Sequence, residues 1–380
     1  MRRALLVLLL ASAPVVAGAQ SSQFGVRGLG MPGRPLSASA FGSGGAFGLF
    51  DPGSGLNPAA LGRLTALSAG LTALQDYRHV ENPAGTQSLR ETRFPYVSVG
   101  GPIRKYPAVV GLSFSNYTSR DFTLATADTV ILRDVPVPVS DTFSSRGGLS
   151  DLRFAAAYRV HDAWVFGGAF HVITGSNRLR FRRSFADPDS VYQSTTQSSE
   201  LSYAGIGVSL GLIRNFGTAF SVAATLRSDG HVNVDRDSSG VSTIDLPYTF
   251  GLGVRWRPAP KLDLAGGLLF KTWSGANSDL LAQGGLGSDN TFEVSFGGEF
   301  TPDPRRPTRR PLRFGARYGR LPFSLVAGEQ PHEFGLSLGT GVRFAQDRAG
   351  IDLGLEHVWR SAGVYSDRAF LMNVGMSVRP

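Results

Sequence analysis

A chain of 380 residues suffices for one large barrel or two ordinary domains, and its charged fraction of 18% falls below the roughly 25% usual for a soluble domain. Its 48 glycines argue against a mainly helical protein, and the lack of cysteine excludes a disulfide framework, thiol catalysis, thiolate metal sites and a lipidated N-terminal cysteine. The net charge of +9 is almost all arginine, scattered through strand-like and turn-like stretches, so it marks the lumen and rim of a barrel and not a nucleic-acid patch.

The N-terminus has the order of an export signal. Met1-Arg2-Arg3 is basic, residues 4–16 are apolar, and Ala17-Gly18-Ala19 is a small-x-small cleavage site, so residues 1–19 are expected to be removed and the mature chain to begin at Gln20. The apolar run is too short to span a bilayer, and no later stretch reaches the roughly 20 apolar residues of a spanning helix. An exported chain of this kind enters a membrane only as a closed β-barrel, which pairs every backbone group without helices.

Residues 20–63 form the next unit. Residues 37–61 read SASAFGSGGAFGLFDPGSGLNPAAL, rich in glycine and small residues and closed by Asn57-Pro58-Ala59. Such a segment is too short and too glycine-rich to fold alone, so it is expected as a plug, or hatch, enclosed by the rest of the chain. Glycines at 42, 44, 45, 48, 53 and 55 allow close packing, while Pro52 and Pro58 fix local direction. Phe47, Leu49, Phe50 and Leu56 supply apolar surface, which either packs on the wall or lines a pocket for a hydrophobic ligand.

From residue 64 to 380 apolar and polar residues alternate. Period-two segments fall near 64–74, 92–102, 108–118, 151–160, 164–174, 200–212, 216–227, 246–257, 261–272, 291–301, 312–320, 332–344, 349–359 and 368–379. They predict an all-β fold, a 14-stranded antiparallel transmembrane β-barrel, because nine to eleven residues at a barrel's tilt cross a bilayer. Short turns such as His161-Asp162-Ala163 and Arg214-Asn215 alternate with long polar loops, the largest at 119–150 and 175–199. With the N-terminus in the periplasm, the short turns are periplasmic and the long loops extracellular, and the expected location is the outer membrane. Trp164, Tyr248, Trp256, Trp273, Phe300, Phe344, Trp359 and Phe370 sit near strand ends, where interfacial aromatic girdles form.

The signal peptide, the small-residue segment from Gly42-Ser43-Gly44-Gly45-Ala46-Phe47 to Asn57-Pro58-Ala59-Ala60-Leu61 and the fourteen strands together resemble the long-chain fatty-acid outer-membrane transporters, a family that includes aromatic-hydrocarbon channels. The resemblance implies passive diffusion of a hydrophobic small molecule through binding pockets, past an N-terminal hatch and out through an opening in the wall. The same plug and barrel also resemble the shuttle components of the type IX secretion system, which bind cargo proteins, and Gly319-Arg320-Leu321-Pro322 is a stretch similar to both. The ending Ser377-Val378-Arg379-Pro380 departs from the terminal aromatic that usually signals barrel assembly.

Two sets of residues are expected to carry function. Phe47, Phe50, Asn57, Pro58 and Ala59 form the plug or gate. Alternating strand direction places Arg159, Arg255, Asp263, Glu299, Arg313, Arg343, Asp352 and Arg379 inside the barrel near its periplasmic end. This ring either anchors the plug or forms a solvated lumen; anchoring implies that alanine at Arg255 and Arg343 raises conductance. Arg317 or Arg153 could meet a carboxylate head group.

No catalytic centre is legible. The six histidines, at 79, 161, 171, 231, 332 and 357, show no metal-ligand spacing, and no serine–histidine or acidic cluster assembles on facing strands. Asp235-Arg236-Asp237 and Asp187-Pro188-Asp189 read as solvated loop acids before calcium ligands. The expectation is a channel and not an enzyme, without metal or cofactor, whose partners are a hydrophobic small molecule, outer-membrane lipid and, on the alternative reading, a secretion-system protein.

Overall fold

The computed structural model describes residues 22–83, 85–161, 163–185, 192–237, 239–303 and 310–379; the expected export signal lies outside them. In chain order the strands are β1 (Met31–Pro32), β2 (Ser68–Asn82), β3 (Gly85–Pro102), β4 (Ala108–Ser119), β5 (Phe122–Leu132), β6 (Val135–His161), β7 (Trp164–Phe185), β8 (Thr195–Phe216) and β9 (Phe220–Ser228). They continue as β10 (His231–Arg236), β11 (Ser239–Asp245), β12 (Tyr248–Ala259), β13 (Leu262–Lys271), β14 (Thr291–Phe300), β15 (Leu312–Arg320), β16 (His332–Phe344), β17 (Ala349–Ala362) and β18 (Tyr365–Val378). A short helix α1 (Ala38–Gly42) precedes β2, and α2 (Asn277–Ala282) follows β13.

Fourteen of these strands close a barrel. Each of β2, β3, β4, β6 to β9 and β12 to β18 pairs antiparallel with the next, and β18 returns to β2 through thirteen register pairs, from Ser366↔Glu81 to Val378↔Ala69. Closure leaves no free edge around the circle except where β3 and β4 part beyond Tyr96 and Ser115, as a lipid environment requires over the paired length. No helix among the described residues is long and apolar enough to cross a membrane. Along each strand burial alternates: Phe154, Leu210 and Leu338 point outward and are exposed, whereas Arg153, Ser209 and Ser337 point into the lumen and are buried. That outward apolar band is the reverse of a water-soluble sheet.

The extracellular segments differ from the loops expected at 119–150 and 175–199. Much of their length is strand: β5 pairs along the upper half of β6, and β6, β7 and β8 run on past the apolar band. The signal lay in Ile131-Leu132-Arg133-Asp134-Val135, where Arg133 and Asp134 take positive φ of 50° and 62° between β-branched runs. Two such residues make the tight turn whose twist matches a hairpin. The β10–β11 hairpin stands on β8 in the same way.

One expected girdle residue is elsewhere. Trp273 leaves the wall after β13 on a 3₁₀ turn and is buried at 2% exposure with Leu29, Leu149, Ile173, Leu246 and Phe323, its ring 5.2 Å from that of Phe323. Tyr248, Trp256, Phe300, Phe344, Trp359 and Phe370 do point outward. The inward turn of Trp273 makes an apolar cluster across the extracellular mouth.

Candidate functional site

Residues 22–63 lie inside the barrel. The segment enters near the extracellular end, where Ser22 Oγ donates to Asp367 and Gln23 Nε2 to Ser366 O at 2.7 Å. It then descends and winds along the lumen wall past β17, β16, β15 and β14, β12, β8 and β7, and leads into β2. Its course explains the glycines of the lumen face. A methyl group at Gly315 would lie 2.2 Å from the backbone of Ser43, one at Gly167 2.3 Å from Ala59 N, and one at Gly211 2.0 Å from Asn57 Oδ1. The wall carries glycine where the plug backbone touches it, since only glycine permits that approach.

The Asn57-Pro58-Ala59 motif is built by local chemistry. Asn57 is fully buried; its Oδ1 accepts from Ala59 N at 3.0 Å, and its Nδ2 donates to Leu49 O at 3.0 Å. It thereby caps the 3₁₀ helix Pro58–Arg63, whose first residue is a proline that needs no donor. Ala59 must be small to fit against Gly167. Ser37 caps α1 through Ala40 N at 3.0 Å, and Asp51 gathers the hydroxyls of Ser37, Ser39 and Ser54 and the amide of Gly53. The plug is thus cross-braced by its own side chains.

Its apolar residues divide between wall and lumen. Leu49 and Phe50 bury with Ala59, Leu61, Val165 and Ile213 against β6 to β9. Phe47 stays half-buried beside Arg255, whose guanidinium is 5.8 Å from the ring centroid. Arg63 lies over Phe50 at 5.6 Å; burial, with the positive charge of Arg255 next, brings its pKa down to about 10, so it remains cationic at neutral pH.

The charge ring is brought together in part. Glu299 and Asp352 flank Arg313 at 2.7 and 2.8 Å, Arg343 joins Asp352 at 2.8 Å, and Asp263 holds both Arg255 and Arg257, the latter at 2.9 Å. These pairs run from strand to strand and brace the wall more than the plug. Arg255 alone of the ring stacks on a plug aromatic, while Arg159 Cγ stands 3.6 Å from where a methyl group on Gly62 would lie. Arg379 lies exposed just past β18. A space of ≈ 200 Å³ is lined by Phe47, Phe50 and Arg63 together with Arg255, Glu299 and Arg313.

A second charged ladder, unseen in the sequence, crosses the middle of the lumen. Arg34 of the plug reaches Glu293 at 3.3 Å and Glu356 at 3.4 Å and donates to Gly44 O at 3.1 Å. Arg317 is held by three carboxylates, its Nη1 by Glu333 and, at 3.7 Å, Glu293, and its Nε by Glu356. Arg153 differs: it is 3% exposed, its Nε and Nη2 have no partner, and it lines a cavity of ≈ 140 Å³ with Tyr96, Arg343, Arg379 and the apolar Leu61, Leu64 and Leu112. Asp51 and Asp352 line that cavity too. Sequence reasoning missed the ladder because its members are far apart in the chain and meet only through strand order.

It also missed a serine–histidine–aspartate network. His171 Nδ1 is 2.9 Å from Asp151 Oδ1, His171 Nε2 is 2.9 Å from Ser209 Oγ, and Arg227 bonds Asp151 at 2.7 Å. The three residues lie diagonally on β6, β7 and β8, and all are at most 4% exposed. The spacing 151, 171, 209 carries no motif; two hairpin registers are needed to see it.

Above the plug lies a central cavity of ≈ 140 Å³, walled by Leu36, Phe41, Leu56, Leu74, Leu269 and Leu371 as well as by the ladder. It meets a gap in the wall beside β4. Pairing between β3 and β4 runs from Pro102↔Val109 up to Tyr96↔Ser115 and ends there, next to Pro95, which has no donor for the ladder. Beyond that point the edge of β4 is taken by the plug: Met31 pairs with Ser119, Pro32 with Thr118, and Gly33 N donates to Tyr117 O at 2.8 Å. Met31, Pro32, Arg93, Pro95 and Asn116 all line the cavity at this gap.

A family model described as BamG matches residues 54–236. No curated protein matches. Among solved structures, the chain is similar to a FadL homologue of Pseudomonas aeruginosa (TM-score 0.65, 12% identity, 92% of this chain and 99% of that one). It is also similar to the CymD monoaromatic hydrocarbon channel (TM-score 0.57, 14% identity, 91% and 97%) and to the toluene transporter TodX of Pseudomonas putida (TM-score 0.56, 12% identity, 91% and 99%). At such identities the likeness is one of fold: the chain has the closed barrel of the FadL-type outer-membrane channels.

Proposed function

We propose that this chain resides in the outer membrane and lets hydrophobic compounds, long-chain fatty acids among them, diffuse inward, with residues 22–63 as the gate. The observation that carries the reading is the central cavity, bounded by an apolar cluster at the mouth and by the plug beneath, and meeting the wall where β1 covers the edge of β4. An apolar solute would pass the Trp273–Phe323 cluster, rest against Leu36, Phe41 and Leu56, and leave sideways into the bilayer if β1 detaches. A carboxylate-bearing solute would meet Arg317 in the central cavity with its Nε and Nη1 already held by Glu356 and Glu333, whereas Arg153, whose Nε and Nη2 are unpartnered, lines the separate cavity beside Tyr96.

The test is uptake of a labelled long-chain fatty acid and of toluene by cells without their own transporter. Cells displaying the folded barrel should take up at least one of them faster than cells without it, and altering Asn57 and Pro58 should change the rate. Absence of uptake of both solutes would remove the channel reading and turn attention to proteins captured by the extracellular hairpins.

A further inference from the structure

The outward face of the extracellular extension carries a row of arginines that the channel reading does not use. On β7 the outward positions continue from Phe166 and Phe170 through Thr174 to Arg178, Arg180 and Arg182, all exposed, while the alternate Ile173 and Asn177 are fully buried. Arg146 of β6 is the direct cross-strand partner of Arg178. Like charges placed opposite one another in a sheet repel, because their Cβ atoms are only about 5 Å apart. The neighbours give little relief. Arg180 lies between Ser144 and Ser198, and Arg182 between Thr142 and Thr196. Of the nearby carboxylates, Glu200 meets Arg178 at 3.3 Å with both side chains well exposed; Asp121 accepts from Gly147 N and Ser119 Oγ; and Asp235 stands opposite Ser202 on β10. Asp141 is engaged with Arg183 on the alternate face.

This row lies on the same outward face of its strands as the lipid-facing band. Arg178 lies six residues beyond Val172 and Arg146 six before Leu152, the last apolar outward residues of their strands. At a rise of about 3.3 Å per residue and a tilt of about 40°, that is roughly 15 Å above the apolar band. Phosphate groups and hydroxyl-rich sugars of a glycolipid headgroup lie at that height against a barrel's outer surface. Guanidinium forks match phosphate oxygens, and the serine and threonine rows on either side match sugar hydroxyls.

We infer that the face formed by Arg146, Arg178, Arg180 and Arg182 binds the phosphate-bearing headgroups of outer-leaflet glycolipid. The inference rests on the membrane placement proposed above but not on transport. The like-charge pair Arg146–Arg178 is then relieved by a bound phosphate, and the glycolipid fixes the barrel's extracellular sheet against the leaflet.

The test uses the full chain purified in detergent micelles and the variant R146Q/R178Q/R180Q/R182Q, with barrel integrity read from heat-modifiable gel mobility and placement from outer-membrane fractionation. The probes are intact lipopolysaccharide, the same lipopolysaccharide after phosphatase treatment, and millimolar inorganic phosphate as competitor. Four membrane-surface arginines make the expected loss roughly tenfold or more, both for the variant against intact lipid and for the native chain against the dephosphorylated lipid. Inorganic phosphate should not displace the lipid. Equal binding by the native chain and a folded variant, or indifference to dephosphorylation, overturns the inference; full displacement by inorganic phosphate overturns the assignment to glycolipid. Absence of the native chain from the outer-membrane fraction would instead sink the placement on which both readings stand.

Discussion

Gly315→Ala separates a plug held by fit from one that merely occupies the lumen. In the structure the added methyl would stand 2.2 Å from the carbonyl of Ser43 and 2.6 Å from Gly44 N, both plug backbone. Neither atom can turn aside as a side-chain tip could, so the plug must lift off β15 by roughly 1 Å. Overpacking of this kind costs about 1–3 kcal/mol. Spread over a docked and a displaced plug, that raises the displaced fraction by a factor of roughly 5 to 150. Single-channel recording in planar bilayers reads the effect as longer or larger openings, and heat-modifiable mobility checks that the barrel persists. Gly266→Ala is the control: it points outward on β13, and the nearest atom to its added methyl is 3.7 Å away. Conductance of Gly315→Ala equal to that of the native chain, with Gly266→Ala also unchanged, would refute the idea that lumen glycines are sockets for the plug.

Asn57→Ala removes the cap of the 3₁₀ helix and the bond to Leu49 O in a fully buried place, which should cost about 1–3 kcal/mol and increase proteolysis within residues 37–61 without unfolding the barrel. Arg255→Ala should raise conductance more than Arg343→Ala, since Arg255 stacks on Phe47 while Arg343 pairs with Asp352; equal effects would mean that the ring acts as a unit. Arg34→Met cuts the ties to Glu293, Glu356 and Gly44 O, and small-solute leak in liposome swelling should rise as the plug loosens. The Ser209–His171–Asp151 network has the spacing of a hydrolytic relay, yet Ser209 is 4% exposed and the plug rests on Gly211 beside it. A fluorophosphonate should therefore leave Ser209 unlabelled in the native chain, and stoichiometric labelling would contradict this structural reading.

The barrel was legible because period-two alternation and short turns are local: β15 and β16 occupy the predicted residues, and most other wall strands begin or end within a few residues of expectation. The N-terminal segment was legible as a composition of small residues around Asn57-Pro58-Ala59, and its contacts with Gly167, Gly211 and Gly315 set it against the lumen wall. The wall glycines could not be assigned, because a lumen glycine reads alike whether it faces water or Ser43. Trp273 misled for a related reason. A tryptophan after a strand looks interfacial until the following turn sends it inward. The arginines were countable, but their partners depend on strand order: Arg317 meets residues 293, 333 and 356 only when four strands are laid side by side. The gap beside β4 had one sequence sign, Pro95 inside a strand, and its cover, Met31-Pro32, carries no pattern at all.

The central claim is that β1 must leave the edge of β4 for a hydrophobic solute to pass, and a reversible cross-link tests it most directly. The chain has no cysteine, and Met31 and Ser119 are register partners, so Met31→Cys with Ser119→Cys places two thiols within disulfide reach. Uptake of labelled fatty acid or toluene should stop under oxidising conditions and return on reduction, with the single-cysteine variants unaffected. Uptake that continues at the native rate through a fully cross-linked barrel would contradict the claim and place the exit elsewhere.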